Sequence, residues 1–224
     1  MMHRFFLSTI ALAAAVLSAS AQKAKVSSIE VLDRVATECV SFDYSYCVAT
    51  GEDASQLKET STGSVTAQRE AYVVTGLGLE VRADDATRWT IDPAAREVLI
   101  EAVGQGVTGD LMLTPTLAVC RYADYFSPVF AGRQFVADGY VDRYDLTPLH
   151  PVADLSEVYL LVMTDDGESE QGSVRLAFGF KGSDATWVEI RTTPLRFSAR
   201  RELSFYVPKE GAFDAREWVV TDLR

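Results

Sequence analysis

Two adjacent aspartates, Asp84 and Asp85, form a carboxylate pair that could bind a metal or do acid–base work. They lie in the stretch EVRADDATRWTID, between a strand-like run and a tryptophan. A metal would need further ligands nearby, and this stretch contains neither histidine nor cysteine. Aspartate is also frequent at hairpin bends, because its side chain accepts hydrogen bonds from nearby backbone amides. We therefore interpret the pair as a turn between two strands.

Histidine chemistry depends on one residue, His150, because the other histidine lies in the first few residues of the chain. His150 is enclosed by prolines in TPLHPV, which is an unfavourable setting for a catalytic triad or a metal site. The sequence contains no glycine-rich phosphate loop and no dinucleotide fingerprint. A hydrolase with two carboxylates stays open as an alternative, because 32 acidic residues do not reveal which of them approach each other. We predict a binding protein without enzymatic activity, cofactor or metal.

The three cysteines, Cys39, Cys47 and Cys120, leave at least one thiol unpaired. The first two lie eight residues apart in an extended-looking run, where about 3.3 Å per residue separates them by roughly 26 Å. That separation is far too large for a disulfide. Either of them could pair with Cys120, and three buried free thiols are the alternative.

The first 21 residues predict a cleavable signal peptide. They combine a charged start, an apolar run from Phe5 to Leu17 that is short for a membrane span, and small residues before the bond that follows Ala21. A retained membrane helix is the alternative. The remainder, 22–224, has the length of a single domain. The net charge of −11 argues against nucleic acid and against anionic lipid surfaces as partners.

Hydrophobic periodicity predicts a helix followed by strands in the first half of the chain. Residues 27–38 place Ile29, Leu32, Val35 and Ala36 on one helical stripe, and a period of two begins at Val40. Short runs with turn residues between them then predict an antiparallel meander with strands at 64–68, 71–75, 79–83, 88–92 and 97–103. Leu79, Val81, Ala83, Trp89 and Ile91 share one parity, but the strand register decides whether they share a face.

The second half predicts a helix, a long loop and further strands. The helix opens at Thr114-Pro115 and ends at Pro128, and a partly covered irregular loop with several aromatic residues occupies 130–155. The run EVYLLVMTD is apolar on both faces, and the strand after it has one apolar face. Further strands are predicted in TWVEIRTT, LRFSARRELSFYV and EWVVTDL.

This order of elements resembles the LolA-like periplasmic carriers of outer-membrane lipoproteins, particularly the branch found in Bacteroidetes-type bacteria. In that branch a DG-T-W-Y hairpin corresponds to 84–90 of this chain. Chains there commonly close on F-F-P…V-DLR, a pattern matched here by Phe205, Pro208, Val220, Asp222, Leu223 and Arg224. The resemblance covers 28–126 and 186–224 and is weak between 127 and 185.

The resemblance implies an α+β fold, an unclosed and strongly curved antiparallel β half-barrel with helices covering its concave face. It also implies a periplasmic chaperone that holds lipoprotein acyl chains in an apolar cavity and carries them from the inner to the outer membrane. Its partners would be the lipoproteins, an inner-membrane release complex and an outer-membrane acceptor, and we expect a monomer. The alternative is a sensor or interaction module without catalytic activity, built on the same half-barrel.

The residues assigned to these roles are apolar, with one arginine. In the family, an arginine six positions after the glycine that opens the second strand contacts the lid helix, and Arg69 stands six after Gly63. The proline that usually follows it is Glu70 here, and a surface turn residue is the alternative for Arg69. For each cavity candidate, ordinary core packing is the alternative. The cavity candidates are Leu79, Val81, Trp89, Ile91, Leu117, Phe126, Leu160, Val162, Leu176 and Phe178.

Overall fold

The computed structural model describes residues 27–51, 54–69, 71–103, 117–136, 139–150, 155–164, 174–182 and 184–224. The predicted signal peptide and the predicted helix start at Thr114-Pro115 lie outside these residues.

The described residues form one open sheet of thirteen strands with two helices against one face. The strand order is β13-β6-β5-β4-β3-β2-β1-β11-β10-β9-β8-β7, and β12 pairs with β1 at the side of this path. Because β13 and β7 do not pair with each other, the barrel stays unclosed, which confirms the predicted half-barrel. The strands are β1 (Cys39–Thr50), β2 (Lys58–Gln68), β3 (Ala71–Gly76), β4 (Leu79–Ala83), β5 (Thr87–Asp92), β6 (Glu97–Ala102), β7 (Phe126–Val136), β8 (Gly139–Pro148), β9 (Leu155–Thr164), β10 (Val174–Gly182), β11 (Thr186–Thr192), β12 (Arg196–Ser198) and β13 (Val219–Asp222).

The first helix, α1 (Ser28–Thr37), begins at a serine cap, where the Ser27 hydroxyl accepts a hydrogen bond from the Glu30 amide at 3.2 Å. Its buried apolar side chains are Val31, Leu32 and Val35. The predicted stripe is therefore wrong at Ile29, which is 63% exposed. Ser28 is buried instead, and because each helical residue turns the chain by about 100°, Ile29 then points away from the sheet.

The second helix, α2 (Ala118–Tyr125), ends before Pro128 rather than at it. Its non-helical backbone at Arg121 marks a kink within its eight residues. No helix in the described ranges is long and apolar enough to cross a membrane.

The meander β2 to β6 confirms the prediction, although β2 begins at Lys58, earlier than expected. The β3–β4 turn consists of Leu77 and Gly78, both with positive φ (54° and 79°). Two left-handed residues suit the right-handed twist of a tight hairpin. Leu77 is 79% exposed at this tip, so its side chain plays no part in the core.

The irregular loop predicted over 130–155 is wrong for most of its length, because β7 and β8 form a long hairpin there. Pro128 lies within β7 rather than ending a helix. A proline is tolerated there because β7 is the last strand of the described sheet, where one side of the backbone has no strand to bond. A bulge between Phe130 and Gly132 interrupts the pairing, and Gly132 has a φ of +134°.

The C-terminal segment also departs from the prediction. Of the strand expected over 195–207, only the three residues of β12 are extended and paired. Tyr206 is fully buried and donates a hydrogen bond to Gln68 Oε1 at 3.1 Å, while Gln68 Nε2 donates to the Arg201 carbonyl at 3.1 Å. The predicted last strand exists as β13, but it pairs in parallel with β6 in an otherwise antiparallel sheet.

The sheet has two differently covered faces. The helix-covered face contacts α1 and α2 and contributes most of the main hydrophobic core. The outer face carries two smaller apolar clusters. One of them contains Trp89 and Ile91 beneath three side chains of the C-terminal segment, Val207, Phe213 and Trp218.

Candidate functional site

The helix-covered face is continuously apolar. From α1 it receives Val31 and Leu32, and from α2 Val119 and Cys120. Aromatic rings on the sheet side contact one another: the centroids of Phe126 and Phe178 lie 5.9 Å apart, and those of Phe178 and Phe180 lie 6.5 Å apart. In the described residues, helices and sheet are therefore held together mainly by apolar packing. The sheet residues buried in this core are Val40, Phe42, Tyr44, Val65, Ala67, Tyr72, Val74, Ala83, Phe126, Tyr144, Leu146, Val158, Leu160, Val162, Leu176, Phe178 and Ile190.

Most of the predicted cavity residues lie on this face. Val81 packs against its edge, and six others are buried in it: Leu117, Phe126, Leu160, Val162, Leu176 and Phe178. Leu79 is the first residue of β4 and is 37% exposed, beside the hairpin tip.

Trp89 and Ile91 lie on the opposite, outer face, in contrast to the expectation that all ten residues line one cavity. The register of the β4–β5 hairpin explains this: Arg82 pairs with Trp89, and Glu80 pairs with Ile91. Directly paired residues share a face, so Trp89 lies beside Arg82 rather than beside Val81. The shared parity of these residues was therefore misleading, because the turn sets the register.

An exposed aromatic strip extends the helix-covered face beyond the helices. It consists of Phe130, Phe135 and Tyr140, which are 58%, 72% and 53% exposed. Phe130 pairs with Tyr144 across β7 and β8, and Phe135 pairs with Tyr140. Because Tyr144 belongs to the main core, the alternation along both strands places the strip on the same face. The ring centroids lie 5.5 Å apart in the first pair and 5.1 Å apart in the second.

An ion pair interrupts the aromatic strip between its two aromatic pairs. Arg133 Nε donates to Asp142 Oδ1 at 2.7 Å, and Arg133 Nη2 donates to Oδ2 at 3.2 Å. Asp142 is buried and Arg133 is half exposed. A bidentate pair of this kind neutralises the buried carboxylate, so the strip as a whole presents little net charge.

Arg69, the predicted lid contact, lies on an exposed turn after β2. It lines a cleft of about 550 Å³ together with Arg121 and Asp124 of α2. Arg121 Nε donates to Asp124 Oδ2 at 2.8 Å, within the helix. No described residue forms a hydrogen bond with the Arg69 side chain, so its contact with the carbonyls of the helix stays a prediction.

Comparison with known proteins gives structural similarities only. No family model and no curated protein matches the chain. Among solved structures, a LolA superfamily protein from Nitrosomonas europaea is 11% identical, with coverage of 82% of this chain and 98% of that one and a TM-score of 0.42. A putative outer-membrane lipoprotein-sorting protein domain from Vibrio parahaemolyticus is 8% identical (80% and 94% coverage, TM-score 0.36). The MucA/MucB complex of Pseudomonas aeruginosa also matches (11% identity, 80% and 58% coverage, TM-score 0.31).

The first of these structures bears the name of the family that the sequence resembles. At such TM-scores the similarities carry no functional assignment.

The Asp84-Asp85 pair is a turn, as predicted. Asp84 Oδ1 accepts hydrogen bonds from the amides of Ala86 at 2.8 Å and Thr87 at 2.7 Å, whereas Asp85 is exposed. Among the described residues, no three histidine, cysteine, aspartate or glutamate side chains lie close enough together to hold a metal. His150 is exposed just beyond the end of β8.

The cysteines are three buried free thiols, so the alternative of a disulfide to Cys120 is not what the structure contains. Burial raises the pKa of the Cys120 thiol far above its usual range. A neutral, inaccessible thiol is a poor nucleophile, so Cys120 belongs to the packing of α2 and not to covalent chemistry.

Proposed function

We propose that the protein is a carrier without catalytic activity, which binds lipoprotein acyl chains on the helix-covered face and takes them from the inner to the outer membrane. One observation carries the proposal: the apolar face beneath two short helices continues into an aromatic strip that is open to solvent. An acyl chain resting on the strip would need only to displace helix contacts in order to advance along the same face.

The energetics favour such an exchange. Each methylene removed from water contributes about 0.8 kcal/mol, so a sixteen-carbon chain gains on the order of 10 kcal/mol from a fully apolar site. The helices have ten and eight residues. Isolated helices of this length are marginal in water, so packing holds them in place. An acyl chain can replace the apolar contacts that the helices lose when they move.

The location and partners belong to the same proposal. The signal peptide predicted to end at Ala21 supports export to the periplasm, where an acidic protein is not drawn to anionic membrane surfaces. The family that the sequence resembles would supply an inner-membrane release complex and an outer-membrane acceptor as partners. The helix-covered face is the surface that the carried lipoprotein would occupy.

The test uses Cys120 as a reporter of helix displacement. The mature chain, 22–224, is mixed with a tripalmitoylated lipopeptide, and a maleimide reagent is added before the modified cysteines are located by mass spectrometry. We expect bound lipopeptide to speed modification of Cys120 on α2 at least tenfold, because displacing the helix exposes the thiol of a residue that is only 9% exposed in the closed protein. Cys39 on β1 is the internal control and should stay protected.

A matched pair of variants locates the entry site. Phe135→Ser removes an exposed ring from the aromatic strip, whereas Leu223→Ser removes a comparably exposed side chain (64%) at the opposite end of the sheet. We expect weaker lipopeptide binding in the first variant and unchanged binding in the second. Equal binding by both variants, or no lipopeptide binding by the wild-type chain, would contradict the proposal.

A further inference from the structure

The outer face of the sheet contains a second, separate cleft of about 380 Å³ across β8 to β11. Its apolar lining comes from Val141, Leu161, Met163 and Ala177 on three adjacent strands and from Val136 at the end of β7. The register confirms that these strand residues are neighbours, since Met163 pairs with Val141 and Leu161 pairs with Ala177. An apolar hollow of this size falls within the range of small-molecule sites.

Two arginines border one end of this hollow. Arg175 pairs with Met163, and Arg191 pairs with Ala177, so the two lie diagonally on neighbouring strands. Arg175 is exposed, and no described residue forms an ion pair or hydrogen bond with its side chain. On a chain with a net charge of −11, a guanidinium that no described carboxylate neutralises is an unusual local positive charge beside an apolar hollow.

The second arginine is held in position by a buried acid. Glu189 is 7% exposed, and its Oε1 accepts a hydrogen bond from Arg191 Nε at 2.5 Å. Its Oε2 accepts a hydrogen bond from the hydroxyl of Tyr159. Both carboxylate oxygens are therefore occupied, while the two Nη groups of Arg191 have no hydrogen bond to any described residue. Glu189 thus orients Arg191 and leaves two of its donor groups available.

We propose that this cleft binds a small aliphatic carboxylate. Its carboxylate would lie between Arg175 and Arg191, and its hydrocarbon part would lie on Leu161, Met163 and Ala177. Guanidinium groups match a carboxylate with paired hydrogen bonds, and the apolar lining removes the hydrocarbon from water. The site lies on the face opposite the proposed acyl-chain site and does not depend on it.

The test titrates octanoate into ¹⁵N-labelled protein and follows the backbone amide shifts. We expect saturable shifts at Leu161, Met163 and Ala177. Arg175→Ala should weaken octanoate binding by about tenfold, because it removes a charge-assisted hydrogen bond. Ala177→Phe should abolish binding by filling the hollow. Arg216→Ala, which changes an exposed arginine in the C-terminal segment, is the matched control and should bind like the wild type.

The location of the shifts separates this proposal from the acyl-chain carrier. Shifts confined to residues of the main core, such as Val35 and Val119, would show that octanoate prefers the helix-covered face, and they would overturn the cleft assignment. Octylammonium that binds as tightly as octanoate would overturn the role of the arginines. Absence of saturable shifts at millimolar octanoate would overturn the site altogether.

Discussion

Ser28 Oγ lies 2.7 Å from the hydroxyl of Tyr144, joining the first residue of α1 to the middle of β8 across 116 positions of the sequence. Both residues are buried. The ring of Tyr144 also contacts Phe130 of the aromatic strip. This hydrogen bond therefore anchors a helix that must move, in the proposed function, at the place where the exposed strip meets the core.

Tyr144→Phe removes this hydrogen bond and leaves the Ser28 hydroxyl buried without it. We expect the free energy of unfolding to fall by about 1 kcal/mol, as measured by urea denaturation. Adding Ser28→Ala should recover part of that loss, because no buried hydroxyl then lacks its partner. A double variant that is no more stable than Tyr144→Phe alone would contradict this account.

The ring of Tyr159 lies directly over Gly179 and leaves no room for a side chain at this position. A Cβ at this position would overlap the ring, whose hydroxyl donates to the buried Glu189. Gly179→Ala should therefore lower the free energy of unfolding by roughly 1–3 kcal/mol, measured by thermal or urea denaturation. In a Tyr159→Ala background the same change should cost little, and a cost that persists there would refute the steric explanation.

The acidic pair of the β4–β5 turn offers a direct comparison of two neighbouring carboxylates. Asp84→Ala removes two hydrogen bonds to backbone amides and should lower stability by about 1 kcal/mol, whereas Asp85→Ala should change it by less than about 0.5 kcal/mol. Millimolar Ca²⁺ should shift the melting temperature of neither variant nor of the wild type. A calcium-dependent rise that is lost in Asp85→Ala would restore the metal interpretation.

Alkaline pH should destabilise the protein through Tyr122 of α2. Burial, with a smaller contribution from the charge of Asp33, raises the pKa of the Tyr122 phenol to about 12. The unfolded chain releases this proton near pH 10, so the contribution is complete below pH 10 and is lost as the pH rises towards 12. The loss amounts to about 2 kcal/mol. Urea denaturation between pH 9 and pH 12 should show that the free energy of unfolding falls less steeply in Tyr122→Phe than in the wild type. Parallel declines in the two proteins would contradict the role of Tyr122.

The meander and the first strand were predictable because their information is local. Alternation in β1 begins where expected, and the turns between β2 and β6 carry residues suited to tight bends. Alternation also extends to β10, where Leu176 and Phe178 are buried. In each case one face meets the core, so burial and periodicity coincide.

The β7–β8 hairpin was missed because β7 does not alternate between buried and exposed residues. Most residues of β7 are exposed, and the bulge between Phe130 and Gly132 shifts the alternation by one residue halfway along the strand. Pro128 strengthened the wrong interpretation, because proline reads as the end of a helix unless the strand is known to be terminal in its sheet. The aromatic strip, the observation that carries the proposed function, therefore could not be derived from the sequence.

Contacts between distant parts of the chain could not be predicted from the sequence either. Neither the parallel pairing of β13 with β6 nor the burial of Tyr206 against Gln68 leaves a periodic signal. The same holds for the outer cleft, whose arginines come from different strands and meet only through the β10–β11 register. Trp89 shows the same problem at short range, because the register set by the β4–β5 turn decides which face of the sheet it occupies.

Pro128 and the nearby bulge have a further consequence for a protein that keeps aromatic rings in contact with water. A long terminal strand with free amide and carbonyl groups is a template for the strands of other molecules, and exposed rings would make such stacking more favourable. Proline offers no amide for that pairing, and a bulge bends the strand out of line with an incoming one. Both features work against the pairing of further strands at this edge, while the aromatic side chains beside it stay exposed.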